Sequence, residues 1–153
     1  MKTFKEVLPE YKLKKDVSAG IHKAKISSSQ DSYEIIKQFY EDDLDLYESF
    51  FILLLNRSNN TMGYVKISQG GIAGTVCDPE LITYYAIKSL ASSIILAHNH
   101  PSGNLKPSTA DIQITKRILD ILNKLTTLVD IRLLDHVIIS SEGFYSFADE
   151  GII

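Results

Sequence analysis

Ile95-Leu-Ala-His98-Asn-His100-Pro101-Ser-Gly-Asn-Leu-Lys-Pro107-Ser108-Thr-Ala-Asp111 places two histidines, a hydroxyl and a carboxylate within one strand-to-helix crossing. The apolar run from Ser92 to Ala97 follows small polar residues and predicts a buried strand. If the chain stays extended through residue 100, His98 and His100 point to one side and Asn99 to the other. Pro101 favours that extension, because the residue before a proline is pushed out of the helical region. Ser102-Gly103-Asn104 marks a turn, and Ser108-Thr-Ala-Asp111 reads as a helix start with a serine cap and a carboxylate at the third helical position. The turn can return that carboxylate to the strand end.

Two imidazoles and one carboxylate make three ligands. A catalytic zinc site commonly keeps three protein ligands and leaves the fourth position to water, whereas structural sites lean on cysteine. With Cys77 alone in the chain, the composition favours an open metal site. A bland reading stands beside this one: Ser108 and Asp111 already make sense as a capping box, common in any helical protein. The two roles are compatible, since a carboxylate has two oxygens.

The spacing His98-x-His100-Pro101, six residues, Ser108, two residues, Asp111 resembles the JAMM signature of JAB/MPN-type metalloproteases. The wording His98-Asn99-His100-Pro101-Ser102-Gly103 is similar to the bacterial RadC-like branch of that family. Glu48 to Arg57 resembles the strand that carries the family's catalytic glutamate. Asp135-His136-Val-Ile-Ile and Tyr145 to Gly151 resemble its closing segment. The likeness runs from about residue 30 to the C-terminus. It implies a cytidine-deaminase-like three-layer JAB/MPN architecture and a zinc-dependent hydrolase of peptide or isopeptide bonds. His98, His100 and Asp111 would hold one zinc ion. Glu48 would act as general base and then acid, and Ser108 would hydrogen-bond the developing oxyanion. Glu48 can also be read as a strand-end carboxylate without chemistry. Glu34, Glu41 and Glu80 are weaker candidates for the base because none leads into a buried strand. Asp135 and His136 can be outer partners of the metal ligands or a sheet-end hydrogen-bonding pair. One departure is Asp78-Pro79-Glu80-Leu81, where the RadC-like pattern more often has Pro-Arg-Glu.

Around this centre the chain of 153 residues reads as one domain, with residues 1–28 as an N-terminal extension or edge strand. A net charge of −3 and a pI near 5.8 give no electrostatic footprint for a duplex. Nucleic acid is therefore a partner only through the DNA-repair label attached to the RadC-like name, as an alternative in which the metal site serves nucleic-acid or partner binding. The helix-hairpin-helix segment of longer family members is not seen ahead of residue 30. A single cysteine suits a reducing compartment. The N-terminus lacks an apolar core of signal-peptide length, and no apolar run approaches the roughly 20 residues of a membrane span. The expected setting is the cytoplasm, without a membrane partner and with a peptide or protein substrate; the oligomeric state is open.

Other chemistries fit less well. Iron oxygenases with two histidines and a carboxylate usually place the carboxylate beside the first histidine. A deaminase needs a glutamate inside the first motif and a paired-cysteine motif, and neither is present. The histidines of an HNH nuclease motif are not contiguous. A scaffold that has lost catalysis is disfavoured by the intact five-residue set.

Element by element, a short strand is expected near Tyr11–Val17, then a polar connection holding His22, which reads as an exposed histidine. A helix follows over Ser29 to Glu41, with Ile35, Ile36, Phe39 and Tyr40 as its stripe. The acidic run at Asp42-Asp43 reads as a solvated loop. Glu48–Arg57 is a buried strand, and Thr61–Gln69 its antiparallel partner with Met62, Tyr64 and Ile67 as apolar positions. Ile72–Val76 is another short strand or a sheet edge. Asp78-Pro79 starts a helix that carries Leu81, Ile82, Tyr85, Ala86 and Leu90 inward. Cys77 beside it could have a lowered pKa, or serve as a small apolar residue. Ser108 to about Leu125 forms a third helix. Val129–Ile139 is a strand interrupted near Leu134-Asp135. Ser140-Ser-Glu-Gly turns into a last strand at Phe144-Tyr-Ser-Phe. The fold class is α/β (α+β), a mixed β-sheet flanked by helices.

Overall fold

The computed structural model describes residues 23–40, 43–70 and 77–153. Among these, β1 (Ser49–Leu55), β2 (Thr61–Gln69), β3 (Ser93–Asn99), β4 (Arg132–Ile139) and β5 (Phe144–Ser146) form one sheet in the order β2-β1-β3-β4-β5. β1 runs antiparallel to both β2 and β3, β3 and β4 are parallel, and β5 returns antiparallel on β4. The helices are α1 (Ser29–Ile36), α2 (Pro79–Lys88) and α3 (Thr109–Leu125). The parallel β3–β4 pair needs a crossover, and α3 supplies it. The expected mixed sheet flanked by helices is the observed architecture.

The two central strands read as continuous apolar runs because both faces of the sheet are covered. On one face Ile36, Phe39 and Tyr40 pack over Phe51, Leu53, Leu55, Ile95, Ala97, Val137 and Ile139. On the other, Ile82 and Ala86 of α2 and Ile118 and Leu122 of α3 pack over Phe50, Ile52, Leu54, Ile94 and Leu96. Each such fully buried aliphatic side chain contributes about 1.5–3 kcal/mol relative to exposure. Residue parity therefore sorts β3 cleanly: 94 and 96 face α2 and α3, while 95 and 97 face α1.

β4 breaks its own alternation. Ile94 pairs with Leu133 and Ile95 with Asp135, so Leu134 is an extra residue. The irregularity expected near Leu134-Asp135 is this bulge. A one-residue slip moves every later side chain to the opposite face. Leu133 lies with the α3-side core, yet Val137 and Ile139 lie with the α1-side core. His136 is thereby turned onto the α3 face, which strict alternation from Leu133 would have denied it.

Several boundaries and orientations differ from the sequence reading. The first helix gives way to a 3-10 turn at Lys37–Phe39, before Glu41. In β2, Met62 and Tyr64 are 45% and 39% exposed, and Ile67 is buried. Met62 and Ile67 fall at the two irregularities in the β1–β2 register, while Tyr64 pairs with Leu53 and stacks on Phe39 at 3.9 Å along the edge of the sheet. Leu90 is not a core residue: it ends α2 at φ 56° and is 85% exposed. β4 begins at Arg132, after a connection, and not at Val129. The expected strands at Tyr11–Val17 and Ile72–Val76, and the residues His22, Glu41 and Asp42, lie outside the described residues. From the N-terminal segment, Lys25 makes a single antiparallel bridge to Asn60.

Asn99 ties the sheet to the segment ahead of β1. It is completely buried on the α1 side. Its Nδ2 donates to the Leu44 and Tyr47 carbonyls at 2.6 and 2.7 Å, and its Oδ1 accepts from the Ser49 N–H at 2.8 Å. Asn99→Ala would strand these backbone groups away from water. It is expected to lower unfolding free energy by about 2–3 kcal/mol, measured by chemical denaturation. A loss below about 0.5 kcal/mol would show that water replaces the amide.

Candidate metal centre

The strand end, the turn and the start of α3 bring His98, His100 and Asp111 together. His98 Nε2 lies 3.0 Å from His100 Nε2 and 3.1 Å from Asp111 Oδ1. His100 Nε2 lies 3.5 Å from Asp111 Oδ2. Among the described residues, these three form the group of histidine and carboxylate side chains able to hold a metal ion. Tetrahedral bonds of about 2.0–2.1 Å separate ligand atoms by about 3.3–3.4 Å, and the observed spacings straddle that value. The chemistry and the spacing of the donors both fit a cation.

Burial is asymmetric. The His98 side chain is 1% exposed, while those of His100 and Asp111 are 15% and 12% exposed, so the cluster opens to solvent on one side. Phe50, opposite His98 in the β1–β3 pairing, stacks on the His98 ring at 5.6 Å and 6°.

Each candidate ligand is held by a local device. His100 follows β3, its N–H bound to the Ile139 carbonyl at 3.1 Å. The chain then turns, with Gly103 at φ 80°, a conformation glycine adopts without steric cost. This turn brings the Asn104 carbonyl to His100 Nδ1 at 2.5 Å. A carbonyl can only accept, so His100 Nδ1 carries hydrogen and Nε2 is the nitrogen that faces the cluster. Asp111 is fixed by the cap of α3. Its Oδ2 accepts from the Ser108 N–H at 2.6 Å and from Ser108 Oγ at 2.7 Å, leaving Oδ1 toward His98. Ser108 Oγ in turn accepts from the Asp111 N–H at 3.1 Å. Both halves of the capping box are present, so the bland reading of Ser108 and Asp111 is realised, and Oδ1 stays turned toward His98.

These contacts shift the ionisation of the group. Burial raises the Asp111 pKa, but hydrogen bonds with His100 and His98 outweigh it and hold the carboxyl well below the usual carboxylate range. His100 is raised above an ordinary imidazole, chiefly by its hydrogen bond to Asp111, with Glu48 adding a smaller electrostatic push. Glu48 stands one residue before β1, half-buried, its carbonyl accepting from the Gly70 N–H at 2.9 Å. Phe50 pairs with His98 and the Ser49 N–H binds Asn99, so Glu48 enters level with His100. It does not join the three-ligand group. Glu34 lies on α1 and Glu80 on α2, and neither belongs to that group.

Asp135 and His136 separate across the sheet. Asp135 binds Ser146 Oγ at 2.6 Å and the Ala148 N–H at 3.0 Å, tying β5 and the following turn to β4, and burial raises its pKa. His136 is completely buried behind His98, with Nε2 2.9 Å from His98 Nδ1. Burial pushes its pKa well below the ordinary imidazole value. Its Nδ1 lies 2.7 Å from Thr115 Oγ1, a residue the sequence reading missed. The available signal was position: Thr115 is one helical turn beyond Asp111. Cys77 is not an activated thiol. Burial and then Asp78 push it up to about 12, and it packs against the α2 side of the core.

A family model described as a RadC-like JAB domain matches residues 26–152. The chain is 43% identical over 128 residues to a UPF0758 protein of Flavobacterium johnsoniae, covering 84% of this chain and 53% of that one. It is 43% identical over 129 residues to a UPF0758 protein of Porphyromonas gingivalis, covering 84% and 54%. The UPF0758 protein YfjY of Escherichia coli is 40% identical over 106 residues, covering 69% and 64%. The chain thus spans about half the length of the first two relatives.

A proton on His100 competes with a cation for the same nitrogen. Because Asp111 raises the His100 pKa, metal affinity is expected to climb with pH by up to about tenfold per unit and to level off above that pKa. Chelator-competition titrations between about pH 5 and 8 measure this. A flat profile would show that His100 is not displaced from its proton by metal.

Proposed function

Since the chain belongs to the RadC-like JAB domain family, we propose that it is a zinc-dependent hydrolase of peptide or isopeptide bonds. The observation that carries this reading is the convergence of two imidazole Nε2 atoms and one carboxylate at 3.0–3.5 Å on a solvent-open side of the sheet. When bound, zinc supplies a Lewis acid that polarises a carbonyl and lowers the pKa of water from ~15.7 toward ~7.

The chain's own residues do the rest. His98 Nε2, His100 Nε2 and Asp111 Oδ1 are the atoms that would hold the ion. The Glu48 carboxylate takes the proton from the attacking water and later delivers it to the leaving amine. Its half-burial just before β1, its electrostatic push on His100 and its place outside the three-residue group support that role. Ser108 Oγ sits at the N-terminus of α3, where the helix dipole favours negative charge. Its proton rests on Asp111 Oδ2. Turned from there to the substrate oxygen, it would stabilise the oxyanion.

The substrate class is a peptide or a protein. The activity and partners of any longer protein containing this domain are part of the same proposal. We also place the chain in the cytoplasm, where an unpaired thiol such as Cys77 stays reduced.

Zinc-loaded protein assayed on linear and isopeptide-linked substrates tests the reading. One zinc per chain is expected, and His98→Ala should release it. Glu48→Gln should keep the zinc and lower kcat by about 10²–10⁴. Zinc loss in Glu48→Gln would make Glu48 a ligand, and undiminished hydrolysis would remove it from the reaction.

A further inference from the structure

Resting on the ligand set just proposed, we infer that Thr115 fixes the tautomers of His136 and His98 through an ordered chain of hydrogen bonds, so that His98 donates through Nδ1 and presents Nε2 as its metal-binding nitrogen. Thr115 and His136 are positioning residues that act through His98.

The order follows from the far end of the chain. Thr115 Oγ1 lies 2.6 Å from the Asp111 carbonyl oxygen. That oxygen can only accept, and the hydroxyl has a single proton, so the proton is committed there. Aimed elsewhere, it would leave two bare oxygens in contact. Thr115 Oγ1 must therefore accept from His136, 2.7 Å away, and His136 Nδ1 carries hydrogen. The His136 ring is fully buried, and the partners of its two nitrogens are Thr115 and His98, not a carboxylate. A cation there would be buried without a partner, so the ring is neutral and its Nε2 bears a lone pair. That lone pair, 2.9 Å from His98 Nδ1, makes His98 the donor. The remaining nitrogen of His98, Nε2, is then the one turned toward Asp111 and His100.

The route uses three elements, and each contribution is visible in the fold. Thr115 is four residues from Asp111 on α3, so one helical turn supplies both a ligand and the anchor of the chain. His136 reaches this face because of the bulge at Leu134. Phe147 stacks on the His136 ring at 4.7 Å and 16°, fixing its plane. His100 arrives at the same tautomer independently, through the Asn104 carbonyl.

The test reads ring-nitrogen chemical shifts of 15N-histidine-labelled protein without metal, beside zinc titration by chelator competition. The unsubstituted protein should show Nδ1–H at both His98 and His136. Thr115→Val keeps the shape and removes the acceptor. His136 should then switch to Nε2–H, forcing His98 to Nε2–H, and zinc affinity should drop about 10–100-fold. Thr115→Ser should restore both readouts, which a purely packing role for the residue would not predict. An Nε2–H tautomer at His98 or His136 in the unsubstituted protein overturns the inference, whether or not Thr115→Val folds. So does a Thr115→Val protein that keeps Nδ1–H on His98. Expected tautomers without zinc binding would sink the ligand set and leave the relay standing; zinc binding with the opposite tautomers would do the reverse.

Discussion

Adjacent side chains on a strand point to opposite faces, and the last turn of that alternation in β3 organises the molecule. His98 faces α3 and Asn99 faces the α1 side. His98 meets the carboxylate at the start of α3, at 3.1 Å. Asn99 grips the Leu44, Tyr47 and Ser49 backbone. One strand end thus holds a candidate ligand on one face and, through the other, the segment that carries Glu48. Neither residue could be moved by one position without losing both, because a slip exchanges the faces.

The same rule makes the bulge in β4 consequential. Without the bulge, had residues 133–136 alternated strictly, His136 would face the α1-side core among Val137's neighbours, and Asp135 would face α3. With it, a neutral imidazole backs His98, while the carboxylate of Asp135 is spent on Ser146 and Ala148. A carboxylate behind His98 would have made it a stronger base. The observed imidazole instead supplies an acceptor without adding charge to a fully buried position. The buried stripe of α3 shows the same transition along its length: Ile118 and Leu122 pack in the core, whereas Thr115 and Asp111 face the cluster.

The elements were legible wherever one local signal dominated. The apolar runs of β1 and β3, the caps at Asp78 and Ser108, and the turn before β5 are written in adjacent residues. His98, His100 and Asp111 were readable as a ligand set because all three lie within fourteen residues of one another. What could not be read depends on register between distant segments. Met62 and Tyr64 look like core positions, but Met62 falls at an irregularity in pairing with β1 and Tyr64 stacks over Phe39 on the edge strand. Leu90 extends the apolar spacing of α2, but the helix has ended and its backbone has turned left-handed. Thr115 carries no motif of its own; it matters only because a histidine from another strand, twenty-one residues away, lands on it.

The three candidate ligands differ in how they are held, and that difference bears on any binding. His98 is gripped from β1, β4 and, through His136, α3, with its ring between Phe50 and His136. Asp111 is locked by two bonds from Ser108 at the first turn of a seventeen-residue helix. His100 alone lies past the end of its strand, in the turn through Pro101 and Gly103, and its outer partner belongs to that same turn. Ordering free energy is lost on binding only where a ligand is not already placed. Two ligands are placed by the packed core and one by a local turn. The adaptable member of the site is therefore His100, which also holds its proton more tightly through Asp111. If a cation binds as proposed, exchange of proton for cation and closing of the coordination shell would fall on the same residue.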